Sequence, residues 1–291
     1  MVNRALGTVV GLGALALAWG LAEAHAFTVR RVTVPVLPAG SEPVRILHVS
    51  DLHITPSQRD KVAWLRDLAG ERIDLVVSTG DNLGHQHAVP TCLAAYGPHL
   101  DTPGVFVFGS NDYFGPRAKN PLAYFGGPSM VRAQAHLLPT DDLREGFTDA
   151  GWVDLNNART DLTLNGVRIA FVGLDDPHIG RDEMPDGTSA PADLTVGVVH
   201  APYKRALGAL AEEGAQLILA GHTHGGQVCV PGYGALVTNC DLDTRRAKGL
   251  SHWPDAEGPW LHVSAGAGTS PYAPVRFACR PEATILTLVA A

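Results

Sequence analysis

The chain has 291 residues, 45% of them hydrophobic and 18% charged, with a formal net charge of −7. That is ordinary globular material with ample apolar side chain for a core, and length allows one or two domains. With no block of like charges and no Lys/Arg-rich stripe, a nucleic-acid partner is not expected, and a small anionic substrate would need local help from metals.

Ala5 to Ala22 is an uncharged Gly/Ala/Leu-rich run of 18 residues preceded by Arg4, long enough for a marginal membrane span. Ala24-His25-Ala26 has the A-x-A form of an export cleavage site, while Arg30 and Arg31 follow as an interfacial stop. Residues 1–26 therefore read as a membrane anchor or a signal segment. The body is expected outside the cytoplasm, tethered by a single uncleaved segment or secreted after cleavage near Ala26. Residues 27–43 form a lead-in, with an alternating strand from Phe27 to Val36 that Pro35, Pro38, Gly40 and Pro43 break. Residues 44–291 show no linker and are expected to form one catalytic domain.

Within that domain, the apolar run from Val44 ends in Asp51-Leu52-His53. A carboxylate and an imidazole two residues apart on a strand end share one face. Pro56 to Arg72 is helical in pattern, with Thr55 as a cap and Pro56 in the first turn. Asp74 to Thr79 is a second apolar strand ending in Gly80-Asp81-Asn82, and Val105 to Phe108 a third ending in Gly109-Ser110-Asn111-Asp112. Tyr113 to Asp149 is a long insert of loop composition with room for short helices, its aromatics Tyr113, Phe114, Tyr124 and Phe125 packing it. Trp152–Leu155, Thr160–Leu164 and Val167–Gly173 read as an antiparallel run, with Asn165-Gly166 as a hairpin turn. A loop with Asp175, Asp176, Pro177 and His178 follows. Leu194–Val199 ends at His200, Pro202 opens a helix to Glu213, and Gln216–Ala220 ends in Gly221-His222-Thr223-His224-Gly225-Gly226-Gln227. Further strands lie around Leu261–Ser264 and Thr284–Val289. Cys92, Cys229, Cys240 and Cys279 show no C-x-x-C spacing and read as two disulfides in an exported domain or as buried thiols.

Two runs of strands with helices between and outside predict an α/β fold. The expected architecture is two mixed β-sheets packed face to face and flanked by helices, a four-layer αββα sandwich. Five apolar strands end in Asp51/His53, Asp81, Asn111, His200 and His222/His224. Ligands collect at the carboxyl ends of such strands. Mixed nitrogen and oxygen donors suit Mn, Fe, Co or Zn ions, and the lack of Cys argues against a structural zinc site.

Asp51-x-His53, Gly80-Asp81-Asn82, the Asn111 corner, His200 and Gly221-His222-x-His224 together resemble the calcineurin-like metallophosphoesterases, in a bacterial branch with an amino-terminal membrane or export segment. The resemblance implies that Asp51, His53 and His224 hold one divalent ion, Asn111, His200 and His222 a second, and Asp81 bridges them. It further implies hydrolysis of a small phosphorylated substrate, a phosphodiester or phosphomonoester, by a metal-bridging hydroxide without a covalent enzyme intermediate.

One departure stands out. The family carries Gly-Asn-His-Glu/Asp at the third strand, its His protonating the leaving oxygen, where this chain has Gly109-Ser110-Asn111-Asp112. Counted from Gly104-Val105, Asn111 falls on the ligand Asn and Asp112 on the His; an ungapped match on Gly109 puts Ser110 and Asn111 there. Nearby cations are expected to keep Asp112 ionised and a poor acid. Either good leaving groups are preferred, with Asp112 in the histidine's place, or the acid comes from elsewhere, with His85, His87 and His178 as candidates, although a solvated loop is the favoured reading of His85 and His87. Asp175 and Asp176 read as partners of a ligand His or as a turn before Pro177. Specificity is expected in the Tyr113–Asp149 insert and the Asp175–Ala192 loop. Two other readings are a pyrophosphatase acting on a nucleotide-linked lipid and a metal-binding module that has lost turnover.

Overall fold

The structure, a computed structural model, describes residues 2–116, 136–188, 190–269 and 272–291, with side chains from residue 11 onward. Tyr124 and Phe125 of the insert lie outside the described residues. In chain order, α1 (Val2–Glu23) leads to β1 (Thr28–Leu37), β2 (Val44–Val49), α2 (Arg59–Asp67), β3 (Leu75–Ser78), α3 (Val89–Tyr96) and β4 (Gly104–Phe106). Then come α4 (Ser110–Tyr113), α5 (Thr140–Asp149), β5 (Val153–Asp154), β6 (Ala158–Leu164), β7 (Val167–Leu174), β8 (Leu194–Val199), α6 (Lys204–Glu212) and β9 (Leu217–Ala220). The chain closes with β10 (Cys229–Val230), β11 (Gly234–Ala235), β12 (Gly249–His252), β13 (Trp260–Val263) and β14 (Glu282–Ala290).

Two six-stranded sheets form, in the orders β1-β14-β2-β3-β4-β5 and β12-β13-β9-β8-β7-β6. In the first, β2 through β5 run parallel and β14 antiparallel to β2; in the second, β13, β9, β8 and β7 run parallel between antiparallel edges β12 and β6. The strands are apolar on both faces because both faces are covered. Ile46, Val77 and Val105 point into the layer between the sheets, against Ile169, Phe171, Val198 and Leu219. Their neighbours Leu47, Val76 and Phe106 point outward, under Leu65 of α2, Tyr96 of α3 and Phe147 of α5. On the other side Val199, Ile218 and Val263 meet Leu207 and Leu210 of α6. The expected four-layer sandwich is therefore the observed one.

Several local expectations change. Trp152–Leu155 does not join the antiparallel run; β5 pairs in parallel with β4, Val105 opposite Val153, and the Leu155 N–H donates to the Phe106 carbonyl at 2.8 Å. The cause is tertiary: the Trp152 indole stacks on Phe147, ring centroids 5.0 Å apart, and its Nε1–H donates to Thr102, which fastens the segment to the first sheet. The second helix starts at Arg59, not Pro56, because the Gln58 side chain accepts the Thr55 N–H and closes a turn ahead of it. α3, β12 and the β10–β11 ribbon were not anticipated.

The expected membrane span gains no support. Among the described residues no helix is long and apolar enough to cross a membrane. The last turns of α1 are fastened to the body: Gly20 accepts the Arg276 N–H at 3.0 Å, and the buried Glu23 carboxylate accepts the Cys279 N–H at 2.6 Å.

Phe147 is fully buried among Tyr96, Phe106 and Trp152. Phe147→Ala should lower stability by about 3–5 kcal/mol, read from urea denaturation of the full chain.

Candidate metal centre

The loops that leave β2, β3, β4, β8 and β9 converge at one edge of the sandwich. Asp51 and His53 lie beyond the end of β2 with φ of 50° and 41°, so strand alternation is not what aligns them. Instead the loop runs beside the one after β3: the N–H groups of Asp51, His53 and Ile54 donate to the carbonyls of Gly80, Asp81 and Asn82 at 2.8–2.9 Å. Asp81, His222 and His224 also have positive φ, of 54°, 70° and 50°. Left-handed backbone at non-glycine residues costs on the order of 1–2 kcal/mol each. Their clustering here marks a shape held by the packing around it.

One oxygen of Asp81 sits at the middle. Asp81 Oδ2 lies 3.4 Å from His53 Nε2 and 3.5 Å from His200 Nε2, and accepts the Asn111 side-chain N–H at 2.7 Å. Oδ1 accepts the Asn111 backbone N–H, also at 2.7 Å. Asp51 accepts from Ser50 Oγ at 2.6 Å and from the His222 N–H at 3.0 Å, and its Oδ1 is 3.6 Å from His224 Nε2. His53 and His224 stack with their Nε2 atoms 3.1 Å apart, while His222 Nδ1 is 3.3 Å from His200 Nε2. All seven residues expected from the strand ends are thus brought together. Donor atoms of Asp51, His53 and His224 lie within 4.8 Å of one another, as do those of Asp51, Asp81 and His200.

The outward nitrogens are anchored. His200 Nδ1 meets the Thr79 carbonyl at 2.6 Å, His222 Nε2 the Asn239 carbonyl at 3.1 Å, and His224 Nδ1 the Gly268 carbonyl at 3.2 Å. A carbonyl on the remote nitrogen fixes the tautomer and leaves the inner nitrogen with a lone pair for a cation. Imidazole nitrogens facing one another at hydrogen-bond distance across a buried carboxylate form a donor set that fits divalent ions.

Charge follows the same geometry. Burial alone would raise the Asp81 carboxyl, but His200, His53 and the Asn111 N–H outweigh it and hold it well below the usual carboxylate range. Burial would lower His200, yet Asp81, Asp176 and Asp51 raise it well above the ordinary histidine value. His53 falls to about 4, and His222 and His224 fall well below their usual value, chiefly through burial. Burial lifts Asp51 to about 6.

The four residues considered for the acid separate. Asp112 is fully buried, and its oxygens accept the N–H groups of Asn82, Leu83 and Gly109 at 2.7–3.2 Å. It clamps α4 to the loop after β3, and burial with the Asp81 charge pushes it up to about 7. The residue that α4 turns toward Asp81 is Asn111. His85 and His87 are exposed, with the His87 N–H on His85 Nδ1. His178 alone approaches the cluster: its ring centroid is 4.6 Å from that of His222, and its Nδ1 is 3.0 Å from the Tyr203 hydroxyl. Asp176 is buried, accepts the His178 N–H at 2.8 Å, and keeps Oδ2 without a hydrogen bond.

Sequence reasoning missed Arg276. It is wholly buried and donates to the carbonyls of Ala265, Gly266 and Gly268 from Nη2 and of His224 from Nη1. It holds the loop after β13 against Asp51, where a Cβ on Gly266 would lie 2.6 Å from the Asp51 Cβ. Ser264-Ala265-Gly266-Ala267-Gly268, small residues directly after an apolar strand, was the available signal of a sixth loop at this edge.

Fold and site together define a metal-dependent hydrolase built on a two-sheet sandwich. The calcineurin-like phosphoesterase model matches residues 44–226, and the chain belongs to that family. It is a hydrolase of phosphate esters. Among its relatives, the metallophosphoesterase YkuE of Bacillus subtilis is 24% identical over 270 residues, covering 87% of this chain and 82% of YkuE. A metallophosphoesterase of Aquifex aeolicus is 26% identical over 281 residues, covering 91% of this chain and 93% of its own length. Phosphodiesterase YaeI of Escherichia coli is 30% identical over 145 residues, half of each chain.

Gly109→Ala would set a methyl 2.4 Å from Asp81 Oδ1 and 2.6 Å from His200 Nε2. Metal content of the purified variant, by elemental analysis, should fall well below that of wild type while the circular dichroism spectrum is retained. Calorimetric titration with Mn²⁺ should also show affinity falling as pH drops through about 6, where Asp51 takes up a proton that competes with the cation. His53 and His224 are already neutral there and add no such dependence, whereas His200, held above its ordinary value, must also yield its proton to a cation and extends the loss of affinity.

Proposed function

We propose that the chain hydrolyses phosphodiesters with two divalent cations, one on Asp51, His53 and His224, the other on Asn111, His200 and His222, with Asp81 shared between them. The observation that carries this reading is the single Asp81 oxygen flanked at 3.4 and 3.5 Å by imidazoles from two different sheets. When bound, the cations supply a water of lowered pKa and neutralise phosphoryl oxygens. The protein's own residues do the rest. Asp81 stays ionised and offers negative charge to both positions, and the carbonyls of Thr79, Asn239 and Gly268 keep the imidazoles aimed inward.

His178 is the residue we assign to deliver a proton to the leaving oxygen. What supports this is its ring beside His222 and its hydrogen bond to Tyr203, whose hydroxyl burial pushes up to about 12 and so keeps protonated. Asp112 is engaged by three backbone N–H groups and is not available for that step. A donor beside the cluster matters most for alkyl esters, because a nitrophenolate departs without a proton.

The Mn²⁺-loaded chain should turn over bis(4-nitrophenyl) phosphate, and Asp81→Asn should reduce the rate by about 10³. His178→Gln should lower kcat for an alkyl diester by about 10² while the aryl rate changes far less. Stoichiometric metal without turnover under any of Mn²⁺, Fe²⁺, Co²⁺ or Zn²⁺ would instead identify a metal-binding module.

A further inference from the structure

Two of the four thiols meet behind the turn that carries His224. Cys229 opens β10, Cys279 lies just ahead of β14, and both are buried, at 4% and 1% exposure. The two segments run side by side: Val228 and Phe277 form a parallel bridge, and the Cys229 N–H donates to the Phe277 carbonyl at 2.8 Å. Both cysteines belong to one small buried cluster with Ala235, Ala247 and Ala265. Both also reach the Gly225 carbonyl, at 3.1 and 3.5 Å, and Cys279 Sγ lies 3.3 Å from the carbonyl of His224. Lys248 Nζ stands 3.5 Å and Arg276 Nη1 3.8 Å from Cys279 Sγ, a cationic setting that favours thiolate chemistry. Cys92, on α3, and Cys240, beside α6, belong to two other parts of the core.

We propose that Cys229 and Cys279 are a disulfide-forming pair, a covalent site that staples the His224-Gly225-Gly226 turn to the segment leading into β14. The oxidant is a small-molecule disulfide. The Cys279 thiolate attacks one of its sulfurs, breaking the S–S bond and releasing the other half as a thiolate. Cys229, on losing its proton, then attacks Cys279 Sγ of the mixed disulfide and expels the second half. Two electrons pass to the oxidant, two protons leave the pair, and one protein S–S bond forms. Because the folded chain encloses both sulfurs, the exchange takes place as the chain folds. The bridge closes a loop containing β11, β12, β13 and Gly266–Gly268, so it limits the unfolded chain and braces the backbone behind His224.

The test folds the full chain with oxidised glutathione or with dithiothreitol, counts thiols in denaturant, and maps non-reduced peptides by mass spectrometry. The oxidised sample should show two thiols in place of four, one cross-linked pair joining residues 229 and 279, and an unfolding midpoint raised by roughly 5 °C. Cys229→Ser and Cys279→Ser should each abolish the cross-link and the shift, whereas Cys92→Ser should keep both. Four free thiols after oxidative folding, or a bridge through Cys92 or Cys240, would overturn the proposal. Thiol count and peptide map on the unaltered chain settle it even if a serine variant fails to fold, and neither depends on phosphoesterase activity.

Discussion

A buried, ionised carboxylate at Asp81 is the constraint around which the edge of this sandwich is arranged. Taking an isolated carboxylate out of water carries a penalty of several kcal/mol, so it persists only where donors and positive charge surround it. Here the Asn111 backbone and side-chain N–H groups occupy both oxygens, and His53 and His200 stand within 3.5 Å of one of them. The same carboxylate raises His200 and adds to the burial that lifts Asp112. A cation bound at this edge would complete the neutralisation that the protein begins.

The cost of such a polar corner is borne by an apolar interior with three layers of contact. Strands whose residues alternate between the inter-sheet core and the helix-covered outer faces leave no water-exposed side, so the parallel register of β2, β3 and β4 is tightly specified. The rigid strands then deliver their loops to within hydrogen-bond reach of one another. Gly80 and Gly109 show how close that reach is, because a Cβ on Gly80 would come within 2.4 Å of the Gly109 nitrogen. Positive φ at Asp51, His53, Asp81, His222 and His224 is tolerated because these neighbouring loops over-determine the backbone.

The two sheets divide the work unequally. The first contributes the two carboxylates, His53 and the Asn111 amide; the second contributes His200, His222 and His224, together with His178 and Tyr203 at its margin. In the proposed reading the proton donor comes from the second sheet, where His178 and Tyr203 lie beside His222. Asp112 survives in the Gly109–Asp112 corner as a brace, its charge directed at backbone N–H groups instead of at substrate. Arg276 plays the matching part on the other side, a buried cation spent on carbonyls that hold the loop carrying Gly268 in place.

The double-sheet architecture and the polar residues that gather at the sheet edge were legible because each depends on local pattern. Short apolar runs bounded by turn residues specify buried strands, and His or Asp immediately after such a run must lie at a strand end. What local pattern could not contain was anything set by side chains far apart in sequence. The placement of β5 beside β4 rests on the stacking of Trp152 on Phe147. The choice of Asn111 over Asp112 rests on which of them the Gly109 turn aims at Asp81, and the singling out of His178 from His85 and His87 rests on a ring from another loop. Length and hydropathy suggested a membrane span near the amino end, but neither could show that Gly20 and Glu23 bond to Arg276 and Cys279 at the far end of the chain. The amino-acid order by itself determined most of the buried strands and which polar residues stand at their ends, since those follow from near-neighbour sterics and burial. Only the tertiary structure decided which ligands face one another, because that depends on the packing of non-local surfaces.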